Sequence, residues 1–162
     1  MQYAKFARVY DALMKDIPYE QWIGFILERT AVPKGAEAFD AACGTGSALL
    51  ELLKRGLKGT AMDISEDMLQ IASERIQSAG KRARLVQGNI AHFSLHRPVS
   101  LITCVCDGVN YLINPQEAQS FFNCAYRFLN ERGALAFDVS GRHKLEKILP
   151  GLQDHRMERA EL

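Results

Sequence analysis

No apolar run in the sequence approaches the roughly 20 residues that a membrane-spanning helix needs. Met1-Gln2-Tyr3-Ala4-Lys5 also lacks the charged-then-apolar order of a secretory signal. The expectation is a cytoplasmic protein with no membrane partner. A surplus of one charge is missing too. The 20 Lys and Arg residues face 19 Asp and Glu, a formal net charge of +1, so no long-range field draws the chain toward nucleic acid. Basic clusters at Lys81, Arg82 and Arg84 and at Arg127 and Arg132 are read as solvated surface. Cysteine is sparse, and Cys43, Cys104, Cys106 and Cys124 show neither disulfide nor zinc spacing. They are expected to be reduced thiols, with no metal site. Cys104 and Cys106 share one expected strand and would then point to the same face.

What is present has the balance of an ordinary globular protein. Of the 162 residues, 48% are apolar and 24% charged, enough for one core and too few for two domains. Residues 2–31 read as helical, with Tyr19, Trp22, Ile23, Ile26, Leu27 and Thr30 on one face. After Pro33-Lys34-Gly35, expected strands at 36–42, 59–64, 84–88, 99–106 and 134–139 alternate with helical patterns. Helices are expected at 47–55, from Ser65 to about 79, from Pro115 through Leu129, and at 142–149. Ser65 is a good N-cap. Asn114-Pro115-Gln116-Glu117 is a helix start, with a cap, proline first and glutamate third. Alternation of this kind implies right-handed crossovers and a parallel sheet covered on both faces. The expected fold is a doubly wound α/β sheet of about five strands with N-terminal helices. Ligands of such sheets bind at the carboxyl ends of the strands, where strand order reverses.

The turn Asp40-Ala41-Ala42-Cys43-Gly44-Thr45-Gly46 leaves the first strand at that place. A dinucleotide loop would carry a third glycine where Leu49 stands, and no Gly-Lys-Ser/Thr follows to make a Walker loop. Asp40, beside the turn, would repel a pyrophosphate but suit an ammonium or sulfonium group. Asp63, at the end of the second strand, is placed to accept both hydroxyls of a ribose. The pair fits a nucleoside carrying positive charge. Glycines serving only a tight turn would explain Gly44 and Gly46 but not the two carboxylates. Cys43, near a helix N-terminus, is an alternative as a low-pKa nucleophile. None of His92, His96, His143 and His155 shows a partner pattern for it, and Ala41 and Ala42 suggest tight packing instead.

Phe39 through Gly46 resembles the first motif of the class I S-adenosylmethionine-dependent methyltransferases, and the resemblance continues in order. Thr60-Ala61-Met62-Asp63-Ile64-Ser65-Glu66-Asp67-Met68-Leu69 is similar to the second motif, whose acidic residue holds the ribose. Val86-Gln87-Gly88-Asn89-Ile90 resembles the third, beside the adenine. Leu101 to Asn110 resembles the fourth strand with its loop, and Arg132 to Asp138 the glycine turn into the fifth. Tyr3 to Asp11 is similar to the N-terminal helix that folds over the cofactor in small bacterial members. The resemblance implies a Rossmann-like sheet of order 3-2-1-4-5. It also implies a helical lid at 1–34, a cofactor-binding domain at 35–149 and a C-terminal tail at 150–162. The implied cofactor is S-adenosyl-L-methionine, with S-adenosyl-L-homocysteine as product. The implied binding residues are Tyr10, Asp40, Ala42, Cys43, Gly44, Thr45, Gly46, Asp63, Ile64, Met68, Gly88, Asn89, Ile90, Cys106 and Asp107.

Three departures from the family pattern matter. Ala42 replaces a common glycine. Asn89 replaces a common aspartate, its side-chain oxygen still expected to accept from an adenine amino group. Members usually continue into two further strands, so either the sequence is a fragment or its sheet edge awaits a partner, such as a second copy in a homodimer. Methyl transfer is an in-line displacement that needs a base only when the nucleophile must lose a proton. Asp107, Asn110 and Tyr111 are expected to face the methyl group and Tyr3 and Tyr10 to close over it. Tyr10, Asp107 and Tyr111 are the catalytic candidates. No Asn/Asp-Pro-Pro-Tyr/Phe run follows the fourth strand and no Pro-Cys pair occurs. That turns the expectation from nucleobases to a small-molecule acceptor, with a protein side chain second. Two further readings stand beside this one: a non-catalytic cofactor-binding or oligomerising module, and an NAD-dependent oxidoreductase, which Leu49 and Asp40 disfavour.

Overall fold

The structure, a computed structural model, describes residues 10, 11, 14, 16–142 and 146. Among the described residues five strands form one parallel sheet: β1 Glu37–Ala41, β2 Lys58–Asp63, β3 Ala83–Gln87, β4 Val99–Cys104 and β5 Leu129–Phe137. Their spatial order is β3-β2-β1-β4-β5, as expected. Among the described residues four α-helices connect or flank them: α1 Tyr19–Thr30, α2 Ser47–Lys54, α3 Glu66–Ser78 and α4 Pro115–Phe128. The chain starts in the middle of the sheet, moves outward to β3 and returns beside β1 as β4. The reversal therefore falls between β1 and β4, at whose carboxyl ends a crevice must open.

Both faces of the sheet are covered, which is why successive residues of β1 and β4 are buried whichever way they point. Successive residues of β1 face opposite ways. Phe39 joins Phe93, Ile102 and Phe121 on the side of α4, with the Phe39 and Phe93 rings 4.8 Å apart. Ala38 joins Ile23, Leu52 and Leu101 on the side of α1 and α2. Leu49, Leu53, Ala61, Leu69 and Ile76 fill the space between α2, α3 and the sheet. Ser65 caps α3 by accepting from Met68 N–H at 3.3 Å, and Asn114 caps α4 by accepting from Gln116 N–H at 2.9 Å. Among the described residues no helix is long and apolar enough to cross a membrane.

Three expectations need correction. The helical reading of 2–31 does not hold throughout the described residues. Tyr10 and Asp11 lie in one helical turn, but α1 begins only after Pro18, whose ring removes an amide donor and blocks the preceding turn. Residues 2–9, including Tyr3, lie outside the described residues, as do 143–145 and 147–162. β4 stops at Cys104, two residues early, because Cys106 and Asp107 adopt φ of 62° and 63°. Cys104 therefore enters the core while Cys106 leaves the strand, and the two do not share a strand face. β5 starts at Leu129, directly after α4. Its register jumps from Val99↔Leu129 to Leu101↔Ala134, so the turn at Arg132-Gly133 bulges from a longer strand.

Candidate functional site

A cavity of about 440 Å³ opens at the carboxyl ends of the central strands. Its floor is the turn after β1, where Ala42, Gly44 and Gly46 have φ of 55°, 52° and 79°. Gly44 N–H donates to Asp63 Oδ2 at 2.7 Å, and Ser65 N–H donates to Asp63 Oδ1 at 2.9 Å. Two backbone donors thus fix the Asp63 carboxylate at the end of β2, with lone pairs to spare for a ligand. A Cβ on Gly44 would meet only Tyr10 Cε1, at 3.9 Å, so the ligand side of this residue is open. Gly46 has a different role. A Cβ there would lie 2.9 Å from Ala72 Cβ, so its bareness lets α2 approach α3 and the residue does not border the cavity.

Asp40 is 1% exposed. Its Oδ1 accepts from Thr103 Oγ1 at 2.7 Å, a pairing set by the Asp40↔Thr103 register of β1 and β4. Its Oδ2 is buried with no hydrogen-bond partner. Burial, opposed by the Thr103 hydrogen bond and by the Leu49 backbone N–H and reinforced by the charge of Asp63, pushes the Asp40 carboxyl up to about 7. A buried acceptor left unpaired is costly, and a cation or N–H donor from a ligand in this cavity would relieve it.

The segment before α1 lies over the turn. Thr45 Oγ1 donates to Asp11 Oδ1 at 2.6 Å, and Arg75 donates to both Asp11 Oδ2 and Ser47 Oγ. Tyr10, next to Asp11, borders the cavity. Burial and the neighbouring Cys106 push its phenol up to about 12, so it stays a neutral hydrogen-bonding group. Cys106 Sγ donates to Tyr19 Oη at 3.2 Å, which brings α1 to the same wall, and burial pushes the Cys106 thiol up to about 11. Burial also pushes the Cys43 thiol up, the opposite of what an activated thiolate nucleophile requires.

Of the residues singled out in the sequence, Tyr10, Asp40, Ala42, Cys43, Gly44, Thr45, Asp63, Ile64, Met68, Gly88, Asn89, Ile90, Cys106 and Tyr111 border this one cavity. Gly46, Asp107 and Asn110 do not. Positive φ at Asp107 turns the loop toward the segment after β5. There Asp107 N–H donates to Asp138, Asp107 Oδ1 accepts from Ser140 Oγ at 2.5 Å, and Asn110 Oδ1 accepts from Ser140 N–H at 3.2 Å. Asn89 borders the cavity, but its Oδ1 already accepts from Ala91 N–H at 2.8 Å to cap the short turn Ile90–His92. That oxygen keeps a second lone pair, so it can still accept from a ligand. Tyr19, Ser47, Ser65, Leu112 and Glu117 also line the cavity and were not foreseen there. Tyr19 had been assigned to a core-facing stripe, Ser65 and Glu117 to helix capping. In a doubly wound sheet, helix starts follow strand carboxyl ends, and that rule would have placed the serines and Glu117 near the site.

The fold and cavity define a doubly wound α/β protein with an acidic ligand site at its topological switch point. Residues 38–133 match the family model described as "Methyltransferase domain", and the chain belongs to that family. A protein of Geobacillus sp. (strain WCH70), whose methyltransferase name is itself provisional, is 32% identical over 151 residues, covering 91% of this chain and 61% of the relative. An S-adenosylmethionine-dependent methyltransferase from Clostridium acetobutylicum ATCC 824 has a solved structure that superposes with a TM-score of 0.81 at 32% identity. That match covers 92% of this chain and 62% of the other. The dTDP-3-amino-3,4,6-trideoxy-alpha-D-glucopyranose N,N-dimethyltransferase of Streptomyces venezuelae is 33% identical over 91 residues, covering 56% of this chain and 37% of that enzyme. The chain spans about three fifths of the length of the first two relatives, 61% and 62%.

Proposed function

We propose that the chain binds S-adenosyl-L-methionine in this cavity, transfers its methyl group to a small-molecule acceptor and releases S-adenosyl-L-homocysteine. The observation that carries the reading is Asp40 Oδ2, a buried carboxylate oxygen without a partner beside a glycine turn that leaves backbone open to a ligand. Such an atom suits a cationic nucleoside and opposes a pyrophosphate. That disfavours the dinucleotide reading on the same evidence. Family membership and the names of the Clostridium and Streptomyces relatives support the same choice.

When bound, the sulfonium supplies an electrophilic methyl group and a neutral thioether leaving group. Asp40 would answer the positive charge of the amino-acid end. Asp63, held by Gly44 and Ser65, would take the ribose hydroxyls. Residues 10 and 11 form part of a proposed lid at 1–34 that excludes water from the glycine turn. With its phenol pushed up to about 12, Tyr10 would position an acceptor by hydrogen bonding and would not act as a base. An amine that enters uncharged needs no base before attack, which makes amino-bearing small molecules the first acceptors to try. Incubation with methyl-labelled S-adenosyl-L-methionine and a panel of sugar-nucleotide amines tests this. Label in an organic-soluble or nucleotide product supports it. Binding of the cofactor with no transfer to amines, alcohols, quinols or proteins would favour the non-catalytic module.

A further inference from the structure

We infer that Glu117 is an acceptor for the exocyclic amino group of the ligand's purine, which would make this cavity selective for 6-amino over 6-oxo purine nucleosides. The inference deepens the cofactor reading above and rests on it. In the sequence, Glu117 has an ordinary explanation as the third residue of a capped helix, reaching back to the cap. The structure removes that explanation. Asn114 alone caps α4, through Gln116 N–H at 2.9 Å, and the Glu117 carboxylate makes no hydrogen bond or ion pair among the described residues. It borders the cavity instead, as do Leu112, Asn89 and Ile90.

The packing of α4 fixes which part of the cavity Glu117 serves. Ser120 Oγ donates to Ala91 O at 2.6 Å and lies 3.0 Å from His92 Nδ1, which seats α4 on the Ile90–His92 turn. Glu117 is one turn earlier on the same helix face, which places it toward the Asn89–Ile90 end. At that end Asn89 Oδ1 accepts from Ala91 N–H at 2.8 Å and keeps one further lone pair. A 6-amino group carries two N–H donors, so one lone pair at this end leaves the second donor unmatched. Glu117, whose carboxylate has no other partner among the described residues, supplies the second acceptor. A 6-oxo purine would set its carbonyl oxygen against the carboxylate and leave both unpaired.

The test is titration calorimetry of wild type, Glu117→Gln and Glu117→Ala with S-adenosyl-L-homocysteine and its deaminated analogue S-inosyl-L-homocysteine. Wild type is expected to prefer the adenosyl compound by ~10- to 100-fold. Both variants are expected to lose most of that preference while keeping the wild-type melting temperature, since Glu117 is half-exposed and bonded to nothing in the described chain. In Glu117→Gln the amide can donate to the 6-oxo group, so the inosyl compound should gain affinity outright, a change no folding defect produces. A wild-type preference preserved in both variants, or no preference in wild type, overturns the role of Glu117 and leaves the cofactor reading standing. Binding of neither compound by wild type overturns the cofactor reading itself, and this inference with it.

Discussion

Thr45 Oγ1 donates to Asp11 Oδ1 at 2.6 Å, joining the segment before α1 to the glycine turn 34 residues later. Arg75 of α3 completes the junction by pairing with Asp11 Oδ2 and Ser47 Oγ. Tyr10 is carried over Gly44 by this attachment. Three elements distant in sequence therefore meet where a ligand would enter.

Releasing the junction should change ligand exchange more than stability. Asp11 and Arg75 side chains are 31% and 25% exposed, so their ion pair contributes about 1 kcal/mol or less. Asp11→Ala is expected to lower the melting temperature only slightly and to raise the dissociation rate of S-adenosyl-L-homocysteine about tenfold, measured by stopped-flow displacement. An unchanged rate would show that the segment does not govern access.

The raised Asp40 carboxyl gives stability a defined pH dependence. Below pH 3.8 the group is protonated in folded and unfolded chains alike, and it contributes no difference. Between 3.8 and about 7 the unfolded chain ionises first, so the ligand-free protein loses stability as pH rises, with the loss complete above about 7. The penalty is a few kcal/mol. Asp40→Asn should remove this slope while keeping an acceptor for Thr103. Affinity for a cationic ligand runs the other way, because binding favours the ionised form. In wild type it should rise from pH 6 to 8, whereas in Asp40→Asn it should be weak and flat. Thermal melts and titrations across that range check both arms.

Gly46→Ala tests the packing role assigned to that residue. The added methyl would lie 2.9 Å from Ala72 Cβ and 3.2 Å from Ala72 Cα, at a φ of 79°. Backbone strain and overpacking together should cost about 2–4 kcal/mol, read as a lowered denaturant midpoint. A further Ala72→Gly change should restore part of the loss. A stable Gly46→Ala protein with impaired binding would instead return Gly46 to the ligand site.

The sheet was legible because its signals are local. The largely apolar run of β4, glycines after helices and the caps at Ser65 and Asn114 each depend on a few adjacent residues. The glycine turn and Asp63 were legible for the same reason. What failed was conformation set by tertiary context. Cys106 and Asp107 take positive φ against the preference of L-residues, which no local pattern announces, and that moved Asp107 and Asn110 off the cavity. Ala42 likewise keeps a φ of 55° although it is not a glycine. The contributions of Tyr19 and Asp11 arise from contacts with Cys106 and Thr45, 87 and 34 residues away. Glu117 was hidden by a sufficient local explanation that the structure then withdrew.

One titration series bears most directly on the central claim. S-adenosyl-L-methionine, S-adenosyl-L-homocysteine and NAD are each titrated into the purified chain by calorimetry, with Asp63→Ala as control. The expected result is one site per chain for the first two ligands, at least tenfold weaker in Asp63→Ala, and no heat of binding for NAD. Binding of NAD with no response to either sulfur nucleoside would contradict the assignment of this cavity.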